Sequence, residues 1–222
     1  MVSFFKKNKA KNKKELWALA LAAPLFQINK FAHHYLYGHK SRSAIAPSCN
    51  FIERDWSIRT AEELNETLKW LETNGQKDEF MNVLSVLTVM SEQGCENYID
   101  TFKENREIYE QWKIVNCYKI PLHRVGIAAW DIVRYVFLCR IGAAIGLISE
   151  KAAWARILEM APKAQMIFSG WPEYVLSYFA GRQYWLGNIT VDFANEMREV
   201  VTQLFVYEKS ILRGLDWQTS LK

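Results

Sequence analysis

The sequence is short of turn formers. Its 222 residues include 10 glycines and 5 prolines, too few for the many corners of an all-β sandwich or barrel. The 4 cysteines, Cys49, Cys95, Cys117 and Cys139, are widely scattered with no CxxC spacing. Neither a zinc site nor a dithiol redox motif is therefore legible, and a reducing cytoplasm is the expected location. The 4 histidines, His33, His34, His39 and His123, lack the HExxH spacing; adjacent His33 and His34 would point about 100° apart on a helix and could not share a metal. There is no Walker loop, GxGxxG or GxSxG element; Ser169-Gly170-Trp171 reads as a helix entry. A conventional hydrolase or nucleotide-binding enzyme is not expected, a novel one stays open, and no metal or cofactor is expected. No apolar run reaches the roughly 20 residues of a membrane span. The nearest, Leu16 to Phe26, follows a basic stretch as a signal peptide's core does, but Glu15 and Trp17 and the lack of a cleavage region make it a core helix.

What is abundant is aromatic: 9 Trp, 10 Tyr and 12 Phe. Half the chain is hydrophobic and 23% charged, the composition of a soluble globule. An aromatic core or an aromatic groove would both explain the tryptophans. The net charge of +4 is uneven. Residues 1–14 carry Lys6, Lys7, Lys9, Lys11, Lys13 and Lys14 and no acid, and the rest holds 22 basic against 24 acidic residues. The domain expectation follows: a basic, disordered tail at 1–14 and one all-α domain at 15–222. The body's charge does not suit nucleic acid. For the tail, with Phe4 and Phe5 beside its lysines, an anionic membrane or a phosphate backbone is the alternative to plain solvation.

Helix signals run throughout. A first helix is expected over Lys13–His34, kinked or broken by Pro24 near Ala23, and residues 38–58 read as a long loop. Thr60-Ala-Glu-Glu63 is a capping box, after which Leu64, Leu68 and Leu71 form one stripe and Asn74-Gly75 ends the helix. Phe80, Leu84 and Leu87 mark the next, ending at Gly94, and a polar helix covers Glu96–Tyr118 before Pro121. From Leu122 to Leu147 apolar residues fall on every side, the pattern of a buried central helix. Ser149 caps a helix that Pro162 stops, Gly170-Trp171-Pro172 opens one that runs to Trp185, and Thr190 caps the last, to about Lys209. The fold class is all-α, a single compact domain of roughly eight helices.

Charge inside the central helix is the anomaly. Asp131 and Arg134 are three apart and can pair on one face, whereas Arg140 points elsewhere; each needs a partner if buried. In the later helix Arg182 projects from an apolar-aromatic stripe beside Gly181, whose missing side chain lets a neighbour close in, and a contact from Arg182 to Asp131 is expected. This cluster is either a lock between two helices or a polar pocket walled by Trp130, Trp154, Trp171, Tyr178 and Trp185, with arginines that hold an anion.

Gly126-Ile-Ala-Ala-Trp130-Asp131-Ile-Val-Arg134, Arg140-Ile-Gly142 and Ser149-Glu-Lys-Ala-Ala-Trp154 form a recognisable pattern. So do Ser169-Gly-Trp171-Pro-Glu-Tyr and Tyr178-Phe-Ala-Gly181-Arg182-Gln-Tyr-Trp185. With Trp17-Ala-Leu-Ala-Leu-Ala-Ala-Pro24, Trp56-Ser-Ile and Leu215-Asp-Trp217 in similar order, the chain resembles the YbeU/YbeR-like bacterial family of unknown function. One departure is Gly170, placed between Ser169 and Trp171. The resemblance implies a compact bacterial domain.

Two functions are expected from these features. The first is a cytoplasmic protein-interaction module: a regulator, an adaptor, or an immunity protein that neutralises a toxin. Its acidic and aromatic segment, with Glu96, Asp100, Glu104, Glu107, Tyr109 and Trp112, would suit a basic protein partner. The alternative is an enzyme or ligand-binding protein with a tryptophan-lined polar pocket at Asp131, Arg134 and Arg182.

Overall fold

Residues 8–45, 50–187 and 190–221 are described by a computed structural model. Their regular structure is helical: α1 (Lys13–Ala20), α2 (Ala23–Ile28), α3 (Arg42–Ile45), α4 (Phe51–Trp56), α5 (Ala61–Thr73), α6 (Lys77–Thr88), α7 (Glu92–Asp100), α8 (Arg106–Tyr118), α9 (Ala128–Ile145), α10 (Glu150–Ile167), α11 (Trp171–Leu186) and α12 (Val191–Phe205), then a 3-10 turn at Leu212–Gly214. One isolated antiparallel bridge joins Lys9 to Tyr35, and the described residues contain no strand. No helix among them is long and apolar enough to cross a membrane.

The all-round apolar segment is the centre. Every residue of α9 except Ile145 is buried, and α2, α5, α6, α10 and α11 all pack on it. A helix that presents no polar face can be stable only when enclosed in this way. Its closest neighbour is α11. A Cβ on Gly181 would lie 2.3 Å from Cβ of Trp130, so the absent side chain sets the approach of the two helices. Ser177 of α11 also serves the start of α9, accepting from the Ala129 N–H and donating to the Gly126 carbonyl.

Several helix boundaries follow the expected chemistry. The Thr60–Glu63 capping box is formed in full, Ser149 and Thr190 cap α10 and α12 through their side chains, and Gly187 ends α11 in the left-handed region. Others differ. The segment 13–34 is not one kinked helix: Pro24 opens α2 after α1 has ended. The stretch 38–58 contains α3 and α4. Gly94 does not end a helix but lies inside α7, which Ser91 caps. The polar helix is two, because Asn105 caps a new start. Pro162 does not stop α10; its buried face of Ala153, Ile157, Met160, Ala161 and Ala164 carries the helix through the missing hydrogen bond.

The basic N-terminus also differs from a free tail where it is described. Residues 1–7 lie outside the described residues. Asn8, however, is buried, donates to the carbonyls of His39 and Lys40, and accepts from the Leu36 N–H. The Ala10 N–H donates to His34 O, and Asn12 caps α1.

Arg140 joins α1 to the stretch 32–36 against which this segment pairs. The guanidinium is fully buried with no carboxylate beside it among the described residues, and it donates to the carbonyls of Leu19, Ala32, His33, Tyr35 and Leu36 while its carbon sits 3.3 Å from the Phe26 ring centre. Leu19 belongs to the last turn of α1, where the helix dipole favours a cation. His33 lies against this charge. Its Nε2 pairs with Gln27 Oε1 at 3.0 Å while Nδ1 is buried without a partner among the described residues. Burial, then Arg140 and His34, lower its pKa from 6.5 to about 3. Between those values the unfolded chain binds a proton that the folded one refuses, so stability falls as pH drops below about 6.5. His33→Gln removes that proton. Urea denaturation at pH 7.5 and pH 5 should show wild type losing about 1–2 kcal/mol more than the variant; equal losses would place the acid sensitivity elsewhere.

Candidate functional site

Trp130, Asp131 and Arg134 occupy the first two turns of α9, and the carboxylate of Asp131 faces away from solvent. It accepts from the backbone N–H groups of Gln76 at 3.1 Å and Lys77 at 3.0 Å. These are the first donors of α6, which has no side-chain cap of its own, so Asp131 caps that helix from a neighbouring element. The approach requires glycine at position 75. Its φ is +57°, and a Cβ there would lie 2.2 Å from Asp131 Oδ2. Arg134 Nη2 also donates to Asp131. Burial raises Asp131 and lowers Arg134; the attraction within the pair and the two backbone donors work against it.

The other side of Arg134 is aromatic. Its guanidinium lies 4.4 Å from the Trp130 ring centre and 5.6 Å from those of Trp56 and Trp70, within the range of cation–π attraction. Nε donates to the Trp130 carbonyl at 3.2 Å, and Nη1 makes no hydrogen bond to a described residue. From α11 come Tyr178 and Trp185, with ring centres 5.5 and 6.1 Å from Trp130. The Trp130 indole is fixed by its N–H, which donates to Gln76 Oε1 at 2.5 Å.

Together these side chains line an open cleft of about 700 Å³ between α4, α5, α9 and α11, a volume that suits a small ligand. Trp56, Trp70, Trp130 and Trp185 are its walls; Trp70 and Trp185 are 41% and 58% exposed at the rim. Tyr178 is wholly buried at its base, and its hydroxyl has no partner among the described residues. Arg182 lines the cleft while Nη1 donates to Glu196 at 2.6 Å. Ser57, also in the lining, is one of two non-glycine residues with positive φ among the described residues, at 54°, a conformation that carries local strain.

The expected cluster is thus assembled in part. Trp130, Arg134, Tyr178, Arg182 and Trp185 meet at the cleft. The contact from Arg182 to Asp131 is not formed: Asp131 is taken by Arg134 and the start of α6, and Arg182 pairs with Glu196. Arg140 faces the N-terminal segment instead. Trp171 belongs to a separate cluster with Trp17 and Trp217, ring centres 4.7–5.0 Å apart, in which all three indoles donate to backbone carbonyls. Trp154 is half-buried on α10, outside the cleft lining. Trp56 and Trp70 were hidden in the sequence, the first by a stretch that reads as loop. A tryptophan off the Leu64, Leu68, Leu71 stripe is the signal that points to Trp70.

Elsewhere, Glu96, Asp100, Glu104 and Glu107 are exposed on and between α7 and α8. Asp100 is bridged by Lys103, and Tyr109 lies under Lys113. Trp112 packs with Tyr98 and Phe102 at 5.3 and 4.9 Å. Among the described residues no three His, Cys, Asp or Glu side chains converge on a point fit for a metal, and Cys49 lies outside them.

Comparison with known proteins places these features in a family. YbeR of Escherichia coli (strain K12) is 26% identical over 153 residues, 68% of this chain and 63% of that protein; the chain thus spans less than two thirds of YbeR's length. YbeU of the same organism is 25% identical over 201 residues, 90% of this chain and 83% of YbeU. No solved structure matches. The family model for the protein of unknown function DUF1266 matches residues 52–217, which contain every residue that lines the cleft except Leu25, Asn29 and Phe51, and the chain belongs to that family.

Proposed function

We propose that this chain is a ligand-binding protein and that its site is the tryptophan-lined cleft. The observation that supports it is Arg134, held among three indoles at the edge of an open cleft with one guanidinium nitrogen unused. Tryptophan and arginine are the side chains that recur where binding energy concentrates. Packing alone does not account for two indoles left 41% and 58% exposed on facing helices. A thermal-shift screen of small aromatic compounds tests this reading. A bound compound at about 100 times its Kd should stabilise wild type by about 2.7 kcal/mol, a rise of roughly 5–10 °C. The double variant Trp70→Ala with Trp185→Ala should fold but lose that rise. Hits that shift both proteins equally, or no hits at all, would reject the cleft.

A second reading is a protein-interaction module that takes a basic partner on α7 and α8. It is favoured by Glu92, Glu96 and Asp100, which follow one exposed face of α7 at four-residue spacing. Fluorescence anisotropy with a labelled ten-lysine peptide checks it. Saturable binding abolished by Glu96→Lys is expected; binding that the charge reversal leaves intact counts against this face.

A further inference from the structure

Resting on the cleft as the binding site, the geometry points to a specific ligand class: a small aromatic carboxylate, with its ring between the rim tryptophans and its carboxylate among Arg134, Tyr178 and Arg182. The first half follows from the walls. Trp56, Trp70, Trp130 and Trp185 supply faces for a planar apolar body, which aromatic rings accept by stacking or edge contact.

The second half follows from the donors at the base. Arg134 has spent Nε on the Trp130 carbonyl and Nη2 on Asp131, leaving Nη1. Arg182 has spent Nη1 on Glu196. The Tyr178 hydroxyl is buried and makes no bond to a described residue, although a buried hydroxyl is costly to leave unmatched. All three side chains line the same cleft, and each offers a hydrogen to an acceptor. Of the carboxylates nearby, Asp131 is sealed at 2% exposure and satisfied by three donors, Glu196 is paired with Arg182, and Asp55 of the lining is paired with Arg54. An incoming anion therefore meets the remaining donors of Arg134, Arg182 and Tyr178 beside carboxylates that each already have a cationic partner. A planar carboxylate has the two oxygens such a set requires. A concave site of about 700 Å³ suits a free small molecule better than the C-terminus of a partner protein.

Calorimetric titration of the full chain with three probes tests this. N-acetyl-L-tryptophan carries ring and carboxylate, N-acetyl-L-tryptophanamide the ring alone, and acetate the charge alone. The first should bind about tenfold or more tightly than either of the others, as expected for a charge-assisted hydrogen bond. Tyr178→Phe, which removes only the unmatched hydroxyl, should keep the melting temperature and bring the carboxylate's affinity toward that of the amide. Arg182→Gln should do the same, and Trp185→Ala should weaken both aromatic probes alike. Equal binding of amide and carboxylate overturns the carboxylate assignment while leaving the cleft as an aromatic site. Loss of both probes, with other compounds still giving thermal shifts that depend on Trp70 and Trp185, likewise overturns the ligand class and not the cleft. A tetrapeptide ending in tryptophan that binds tenfold more tightly than N-acetyl-L-tryptophan overturns the small-molecule source.

Discussion

Replacing Arg140 with leucine should cost at least about 4 kcal/mol, near the upper end for a single substitution. Leucine has three fewer heavy atoms and vacates the guanidinium space, but that cavity is not the main loss. The main loss comes from the carbonyls of Leu19, Ala32, His33, Tyr35 and Leu36, which have the guanidinium as their common donor. Leu19 and Tyr35 keep the N–H groups of Ala22 and Gly38 as donors, so the cost falls on Ala32, His33 and Leu36, at about 1–3 kcal/mol for each buried acceptor left bare and less where water enters. Burial works against the Arg140 charge, and these five dipoles together with the end of α1 offset it. A single ammonium has three hydrogens and cannot serve the same set, so Arg140→Lys should recover only part of the loss. The damage should concentrate in residues 8–40, whose amides would exchange faster while α9 to α11 stay protected. Urea denaturation and hydrogen exchange check both statements. A leucine variant within about 1 kcal/mol of wild type would show that these carbonyls find water, and that the N-terminal segment is held mainly by apolar packing.

The legible parts of this fold are those that short-range chemistry dictates. Thr60 with Glu63, Ser149, Thr190 and Gly187 mark helix ends because a cap needs only its own turn. The central helix was visible because no exposed helix can be apolar on all sides. Pro162 misled because a proline's local cost is outweighed when the helix's buried face is long enough, which is a tertiary fact. The site was half visible for the same reason. Asp131 and Arg134 are one turn apart and pair as spacing requires. Arg182 could reach either Asp131 or Glu196, and helical phase does not rank them. The decisive competitor for Asp131 is backbone: the N–H groups of Gln76 and Lys77 belong to a helix start that lacks its own cap, and side-chain patterning carries no record of them. Trp56 and Trp70 reach the cleft from α4 and α5 by tertiary packing alone. The 9 tryptophans thus divide between a structural cluster, Trp17, Trp171 and Trp217, and the four around the cleft, with Trp112 and Trp154 apart from both.

Asp131→Ala should destabilise the protein by about 3–5 kcal/mol, the usual cost of leaving one member of a buried ion pair alone. Two losses combine. Arg134 at 8% exposure is left without its carboxylate, and α6 loses the acceptor for its first N–H groups, by itself worth about 1 kcal/mol. The second substitution that restores stability identifies the partner. Adding Arg134→Met removes the stranded charge and keeps an apolar stem among Trp56, Trp70 and Trp130, so part of the loss should return, leaving roughly the cost of the missing cap. Adding Arg182→Leu should give no rescue, because Arg182 is neutralised by Glu196 whether or not Asp131 is present. Asp131→Asn separates the two roles from the other direction. Its carbonyl oxygen still accepts from the start of α6 but no longer neutralises Arg134, so it should fall between wild type and alanine. These variants, compared by denaturant midpoint, form a double-mutant cycle on each candidate pair. A rescue by Arg182→Leu equal to that by Arg134→Met would mean that both arginines share Asp131 in solution, and that the cleft floor is looser than a sealed carboxylate allows.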